Sequence, residues 1–185
     1  MIANSISLGH VLKHNDRFWI VTKKEHVKPG KGGAFIQVEM KDIITGSKSN
    51  NRFRSSENVE KAHVEDREFQ YQYPEGENLA LMDMESYETI SLPKILVGEA
   101  VQFLQEGMDV KVTYCEETPI EIKLPETVIL AINTTEAVVK GQTSSASYKP
   151  AILENGVRVM VPPFVTSENK IVVRTADGTY VERAK

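Results

Sequence analysis

Lys31 is the residue of this chain best placed to do chemistry. It stands in Lys28-Pro29-Gly30-Lys31-Gly32-Gly33, with one glycine before it and two after. An ε-ammonium is a compact, strongly hydrated cation with three donors on a flexible stem. Flanked by residues without side chains, it projects alone from a loop slender enough to enter a narrow place. Such a cation can brace an anionic partner, or it can form a Schiff base. The second use needs a desolvated lysine of lowered pKa, whereas a glycine-bracketed loop is wet. A plain solvated turn that happens to carry a lysine is the alternative. Two phosphate loops are excluded. Gly30-Lys31-Gly32-Gly33-Ala34-Phe35 lacks the last glycine of the dinucleotide fingerprint, and Lys31 is followed by Gly32, where a P-loop needs Ser or Thr.

Other reactive residues are scattered. Cys115 is the single cysteine, so no internal disulfide forms, and a reducing, cytoplasmic location is expected. His10, His14, His26 and His63 do not cluster at metal-ligand spacing. Glu116 and Glu117 are adjacent, but neighbours on a strand face opposite ways, so they read as a turn and not as an acid/base pair. No cofactor or metal is expected, and no enzymatic activity. Lys41, Lys48, Arg52 and Arg54 form a plausible phosphate-facing set, with a solvated rim as the alternative.

The elements that must position these residues are strands. The run ending at Val27 and the alternation of Phe35, Gln37, Glu39 against Ile36, Val38, Met40 predict a hairpin with Lys31 at its tip. Pro29-Gly30 predicts a type II turn with a positive φ at Gly30. Further short strands with turns about every ten residues predict a small β-barrel over residues 1–64. From residue 65 the composition turns acidic. Phe69, Tyr71 and Tyr73 alternate there and predict one aromatic face, suited to core packing more than to stacking bases. Lys94 to Glu106 predicts one short helix stopped by Gly107. Residues 128–185 hold about five strands, with an Asp177-Gly178 hairpin signal and a polar loop from Gly141, and fit an OB-type barrel.

The net charge of -4 conceals +5 over residues 1–64, -11 over 65–127 and +2 over 128–185. A polyanion would be drawn to the two ends and repelled by the middle. No apolar run is long enough to span a bilayer, and the start lacks a secretory pattern; no membrane partner is expected.

Lys28-Pro29-Gly30-Lys31-Gly32-Gly33-Ala34-Phe35 resembles the tip sequence of bacterial elongation factor P. Val161-Pro162-Pro163-Phe164-Val165, together with Ile171 through Arg183, resembles the closing signature of that family. Relatives in archaea and eukaryotes carry hypusine at the matching lysine. The resemblance implies an all-β fold of three consecutive small barrels: an SH3-like (KOW-like) domain at 1–64, an OB domain at 65–127 and an OB domain at 128–185, in an L-shaped, tRNA-like arrangement. It implies a monomeric translation factor that binds both ribosomal subunits between the peptidyl-tRNA and exit sites and relieves stalling at consecutive prolines. Lys31 would be lengthened by a modifying enzyme and would touch the CCA end of peptidyl-tRNA, with Lys28 adding a phosphate contact. A third-domain loop that family members place near the messenger's exit-site codon corresponds to Gln142, Thr143, Ser144, Ser145 and Ser147. Here Gln142 replaces the family's aspartate and serines replace glycines. The rival function is a generic OB-fold RNA or single-strand binder without ribosomal specificity, which would show exposed aromatics beside a basic groove.

Overall fold

The computed structural model describes residues 1–136 and 148–185. Among these, fifteen strands form three five-stranded sheets, joined by short 3₁₀ segments and no α-helix. By contacts the chain divides into two compact units, Met1–Arg67 with Val112–Glu121 and Glu68–Lys111 with Ile122–Lys185.

The first sheet holds β1 (Val11–His14), β2 (Arg17–Val27), β3 (Phe35–Asp42), β4 (Lys48–Arg54) and β5 (Glu60–Lys61), ordered β4-β3-β2-β1-β5. Alternation holds through β3: Ile36, Val38 and Met40 are wholly buried. They meet Ala3, Ile6, Leu12, Trp19, Val21, Phe53 and Val59 in one apolar core. Trp19 Nε1 donates to His14 O at 3.0 Å, which satisfies the one polar atom of that ring. The reverse face of β1–β2 is covered too, because Val11 packs with Ala62 and Cys115 against Phe18, Ile20, Ile43 and Ile120. Asn15 and Asp16 take φ of 51° and 57°, the left-handed pair a tight two-residue hairpin requires.

The second sheet holds β6 (Val64–Glu75), β7 (Asn78–Asp83), β8 (Thr89–Pro93), β9 (Asp109–Cys115) and β10 (Thr118–Lys123), ordered β10-β9-β6-β7-β8. Two expectations fail here. Phe69 and Tyr71 are buried, but the β6–β7 register shifts between Tyr71 and Tyr73, and Tyr73 is left 50% exposed. A bulge adds one residue and turns the following side chain to the other face. The stretch after β8 is not one helix but two 3₁₀ segments, Lys94–Leu96 and Gly98–Phe103, divided at Gly98 with φ 69°. Glu116, at φ 53°, opens the β9–β10 turn, as the adjacent carboxylates suggested.

The third sheet holds β11 (Thr127–Thr135), β12 (Lys149–Leu153), β13 (Arg158–Val161), β14 (Lys170–Arg174) and β15 (Tyr180–Arg183), ordered β13-β12-β11-β14-β15. Val128, Leu130, Ile132, Leu153, Ile171 and Val173 fill its core, together with Phe103 from the second 3₁₀ segment. At the β14–β15 turn Asp177 Oδ1 accepts from the backbone N–H of Thr179 (3.0 Å) and from its hydroxyl (2.6 Å). Gly178, at φ 69°, sits so close to Phe103 that a Cβ would lie 3.3 Å from the ring. Gln142, Thr143, Ser144, Ser145 and Ser147 lie outside the described residues.

Candidate nucleic-acid interface

The β2–β3 ladder runs from Trp19 opposite Asp42 to Val27 opposite Phe35, with one bulge between Val21 and Lys23. Beyond Val27 the hydrogen-bonded pairing stops and residues 28–34 form the tip of a two-stranded finger. Lys28, Pro29, Gly30, Lys31, Gly32 and Gly33 are all exposed. Among the described residues none forms an ion pair or side-chain hydrogen bond with Lys28 or Lys31. The strained position is not where the turn rule put it: Gly32, at φ 130°, takes the glycine-only conformation, while Gly30 stays outside the left-handed region. A Cβ at Gly32 would lie 3.8 Å from Pro29 Cγ, an ordinary contact, so the backbone angle and not crowding calls for glycine there. Gly30 and Gly33 have open space around them, so the surface beside Lys31 is bare backbone, open to close approach.

Two lysines of β2 show what a fully engaged amine looks like. Lys24 Nζ donates to Ile6 O at 2.6 Å and to Asn4 O at 3.0 Å, clamping the N-terminal 3₁₀ turn to the sheet. Lys23 pairs with Glu25 at 2.9 Å.

The four cations named from sequence share one outward face of β3–β4 but fall at its two ends. Lys41 lies opposite Lys48 at the end remote from the tip, and Lys48 is paired with Glu39 at 3.6 Å. Arg52 and Arg54 lie at the foot of the finger, opposite Gln37 and Phe35. Arg52 is laid over the Phe35 ring, its Cζ 4.1 Å from the centroid. With Gly33, Ala34, Ser55, Ser56 and Glu57 these residues line an open recess of about 720 Å³ directly behind the tip. Sequence inspection missed this stack, because it depends on cross-strand register.

The remaining reactive groups are occupied in other ways. His10 Nδ1 accepts from the Ser7 backbone N–H at 3.2 Å, and the His14 ring meets Phe53 edge-on at 5.7 Å. No group of three His, Cys, Asp or Glu among the described residues has metal-ligand geometry. Cys115 is buried, and burial pushes its thiol up, with Glu116 adding to the effect, so its thiolate is disfavoured. Among the described residues no helix is long and apolar enough to cross a membrane.

Comparison with known proteins covers nearly all of the chain. Residues 2–59 match the model described as Elongation factor P (EF-P) KOW-like domain, 64–122 that of the Elongation factor P (EF-P) OB domain, and 128–183 Elongation factor P, C-terminal. Elongation factor P of Sphingopyxis alaskensis is 53% identical over 176 residues, which is 95% of this chain and 94% of the relative. That of Rickettsia akari is 52% identical over 184 residues, 99% and 98% of the two chains. Among solved structures, eukaryotic translation initiation factor 5A from Methanococcus jannaschii aligns with a TM-score of 0.57 at 24% identity, covering 68% of this chain and 90% of that one. That last likeness is one of fold.

Proposed function

We propose, from the premise that this chain belongs to the elongation factor P family of translation factors, that it binds the ribosome between the peptidyl-tRNA and exit sites and restores peptide-bond formation at consecutive prolines. The observation that carries this reading is the exposed Lys31, without a side-chain partner among the described residues, at the end of a two-stranded finger whose flanking glycines leave bare backbone. In this reading residues 1–64, 65–127 and 128–185 act as three successive domains, and the factor works as a cytoplasmic monomer touching both subunits.

Proline's nitrogen is a secondary amine in a rigid ring, so a productive line of attack on the peptidyl ester is hard to reach. When nucleophile and carbonyl are not held close and aligned, rate is lost steeply. The finger lies along the acceptor end of peptidyl-tRNA, and Lys31, extended by a group that a modifying enzyme attaches, holds the CCA end by charge-assisted hydrogen bonds. Glycines at 30, 32 and 33 let RNA approach the backbone, and Lys28 neutralises a phosphate. The ribosome supplies the chemistry; the factor supplies position. The acidic stretch 65–127 and the burial of Phe69 and Tyr71 weigh against a generic single-strand binder.

The test is the mass of the Lys31 peptide from the native host, together with synthesis of a proline-run reporter in a reconstituted translation system. An added mass at Lys31 and a slowing on the order of tenfold or more in Lys31→Ala are expected. A bare lysine in the native protein, with Lys31→Ala as active as wild type, overturns the reading.

A further inference from the structure

The recess behind the tip holds more chemistry than a lone tip cation requires. The Arg52 guanidinium lies over the Phe35 ring, its Cζ 4.1 Å from the centroid, and its side chain is exposed, so the side away from the ring is open to a partner. The contact is diagonal across the β3–β4 pair, since Phe35 stands opposite Arg54 and Gln37 opposite Arg52. A planar cation backed by a ring is a stacking surface for a nucleobase. Lysine could not provide it.

The walls of the recess narrow the choice of ligand. Glu57 lines it, and its Oε2 accepts the Arg54 backbone N–H at 2.9 Å. A carboxylate there repels a phosphate but accepts from an exocyclic amine, as carboxylates do from cytosine N4. Ser55 also lines the recess, and its buried hydroxyl has no hydrogen-bond partner among the described residues, so a small rotation of that side chain would give it one. The Arg54 guanidinium, exposed at the rim and without an ion-pair partner among the described residues, can take the phosphate outside.

We propose that this recess is a stacking site for one unpaired adenine or cytosine nucleotide, with the base on Arg52, its exocyclic amine toward Glu57 and its phosphate on Arg54. The inference rests on the reading of the finger as an RNA contact and adds a second point of grip on the same strand. Phe35 lies four positions after Lys31, a span of up to about 13 Å at roughly 3.3 Å per residue. A strand rising about 3.4 Å per nucleotide covers that distance in roughly four nucleotides, so a short single-stranded end can meet Lys31 and the recess together.

The experiment titrates full-length protein into a fluorescent RNA hairpin with a single-stranded 3′ tail of sequence ACCA or UUUU and follows anisotropy at several salt concentrations. Wild type is expected to prefer the ACCA tail. Arg52→Ala should lose about tenfold in affinity and the tail preference with it, and Arg52→Lys should keep the salt slope without restoring the preference. Arg54→Ala should weaken both tails equally and lower the salt slope by about one. Full restoration by Arg52→Lys, an unchanged tail preference in Arg52→Ala, or no binding of either tail by wild type overturns the inference. The proline-run assay on Lys31→Ala runs in parallel. If that variant is slow while Arg52→Ala binds normally, only the recess assignment falls; if it is as fast as wild type, the functional reading falls with it.

Discussion

Asp42 and Lys31 stand at opposite ends of one two-strand ladder, and their surroundings differ in kind. Beyond Asp42 the chain turns through Gly46, and the buried carboxylate accepts the backbone N–H groups of Ile44 and Thr45 at 2.8 and 2.9 Å. Arg17 reaches the same carboxylate at 3.4 Å, Asp42 N donates to Ser47 O, and Gly46 N donates back to Asp42 O. Beyond Val27 the six residues 28–33 are exposed, and neither lysine has a partner among the described residues. A turn that serves only the fold satisfies its own polar groups. Polar groups left unengaged on a rigid support are available to another molecule, and that contrast is what marks the tip as the working end.

The contrast is broken most sharply by Asp42→Ala. It removes the buried carboxylate that accepts two turn N–H groups and the Arg17 charge, and should cost about 2 kcal/mol, read as a lower midpoint in urea unfolding, while the proline-run activity of the folded protein is unchanged at moderate temperature. An unaltered midpoint would mean that the Asp42 end is no better anchored than the tip.

Within the tip, Gly32 and Gly33 should separate. Gly32→Ala places a Cβ on a backbone at φ 130° and forces the loop to rearrange, at a local cost of about 1 kcal/mol or more. Gly33→Ala enters open space. The expected outcome is a several-fold slower proline-run reporter for the first, with its unfolding midpoint lowered by about that cost, and a milder slowing for the second, which adds only a methyl where RNA approaches and leaves its midpoint near wild type.

The smallest effect is in pH. Burial pushes the Asp42 carboxyl up, but the hydrogen bonds from Thr45 and Ile44 and the charge of Arg17 outweigh it and hold the group below its usual range. A folded-state pKa below the unfolded one stabilises the fold fully above the unfolded value, about 4, and the contribution is lost as pH falls through the folded value. Wild type should therefore lose stability between about pH 4 and the lower folded value more steeply than Asp42→Asn. Parallel unfolding curves for the two proteins would remove Asp42 from the account.

Much of this contrast was legible from residue order. The alternation of Ile36, Val38 and Met40 fixed which face of β3 is core, and Pro29 with three glycines marked the tip. Asp42-Ile43-Ile44-Thr45-Gly46 also carries an Asx-turn signal. Other features lay beyond local pattern. Three glycines are all permissive, so sequence cannot say which of them takes the positive φ, and it falls on Gly32. Period-two alternation holds only along an unbroken ladder, so the shift after Tyr71 turned Tyr73 outward. Between Lys94 and Glu106 the apolar residues keep no clean period, and Gly98 splits the segment. Arg52 meets Phe35 because the β3–β4 register sets it there.

The sandwiching of β1–β2 has a practical consequence for anyone dissecting this chain. Val11, Phe18 and Ile20 are covered by Cys115 and Ile120, which lie far along the sequence. A recombinant fragment cut at residue 64 would carry the finger intact but uncover that greasy back, and it should clump or misfold during purification. A fragment meant to isolate the finger should therefore retain residues 112–121, or carry polar side chains in place of the uncovered ones.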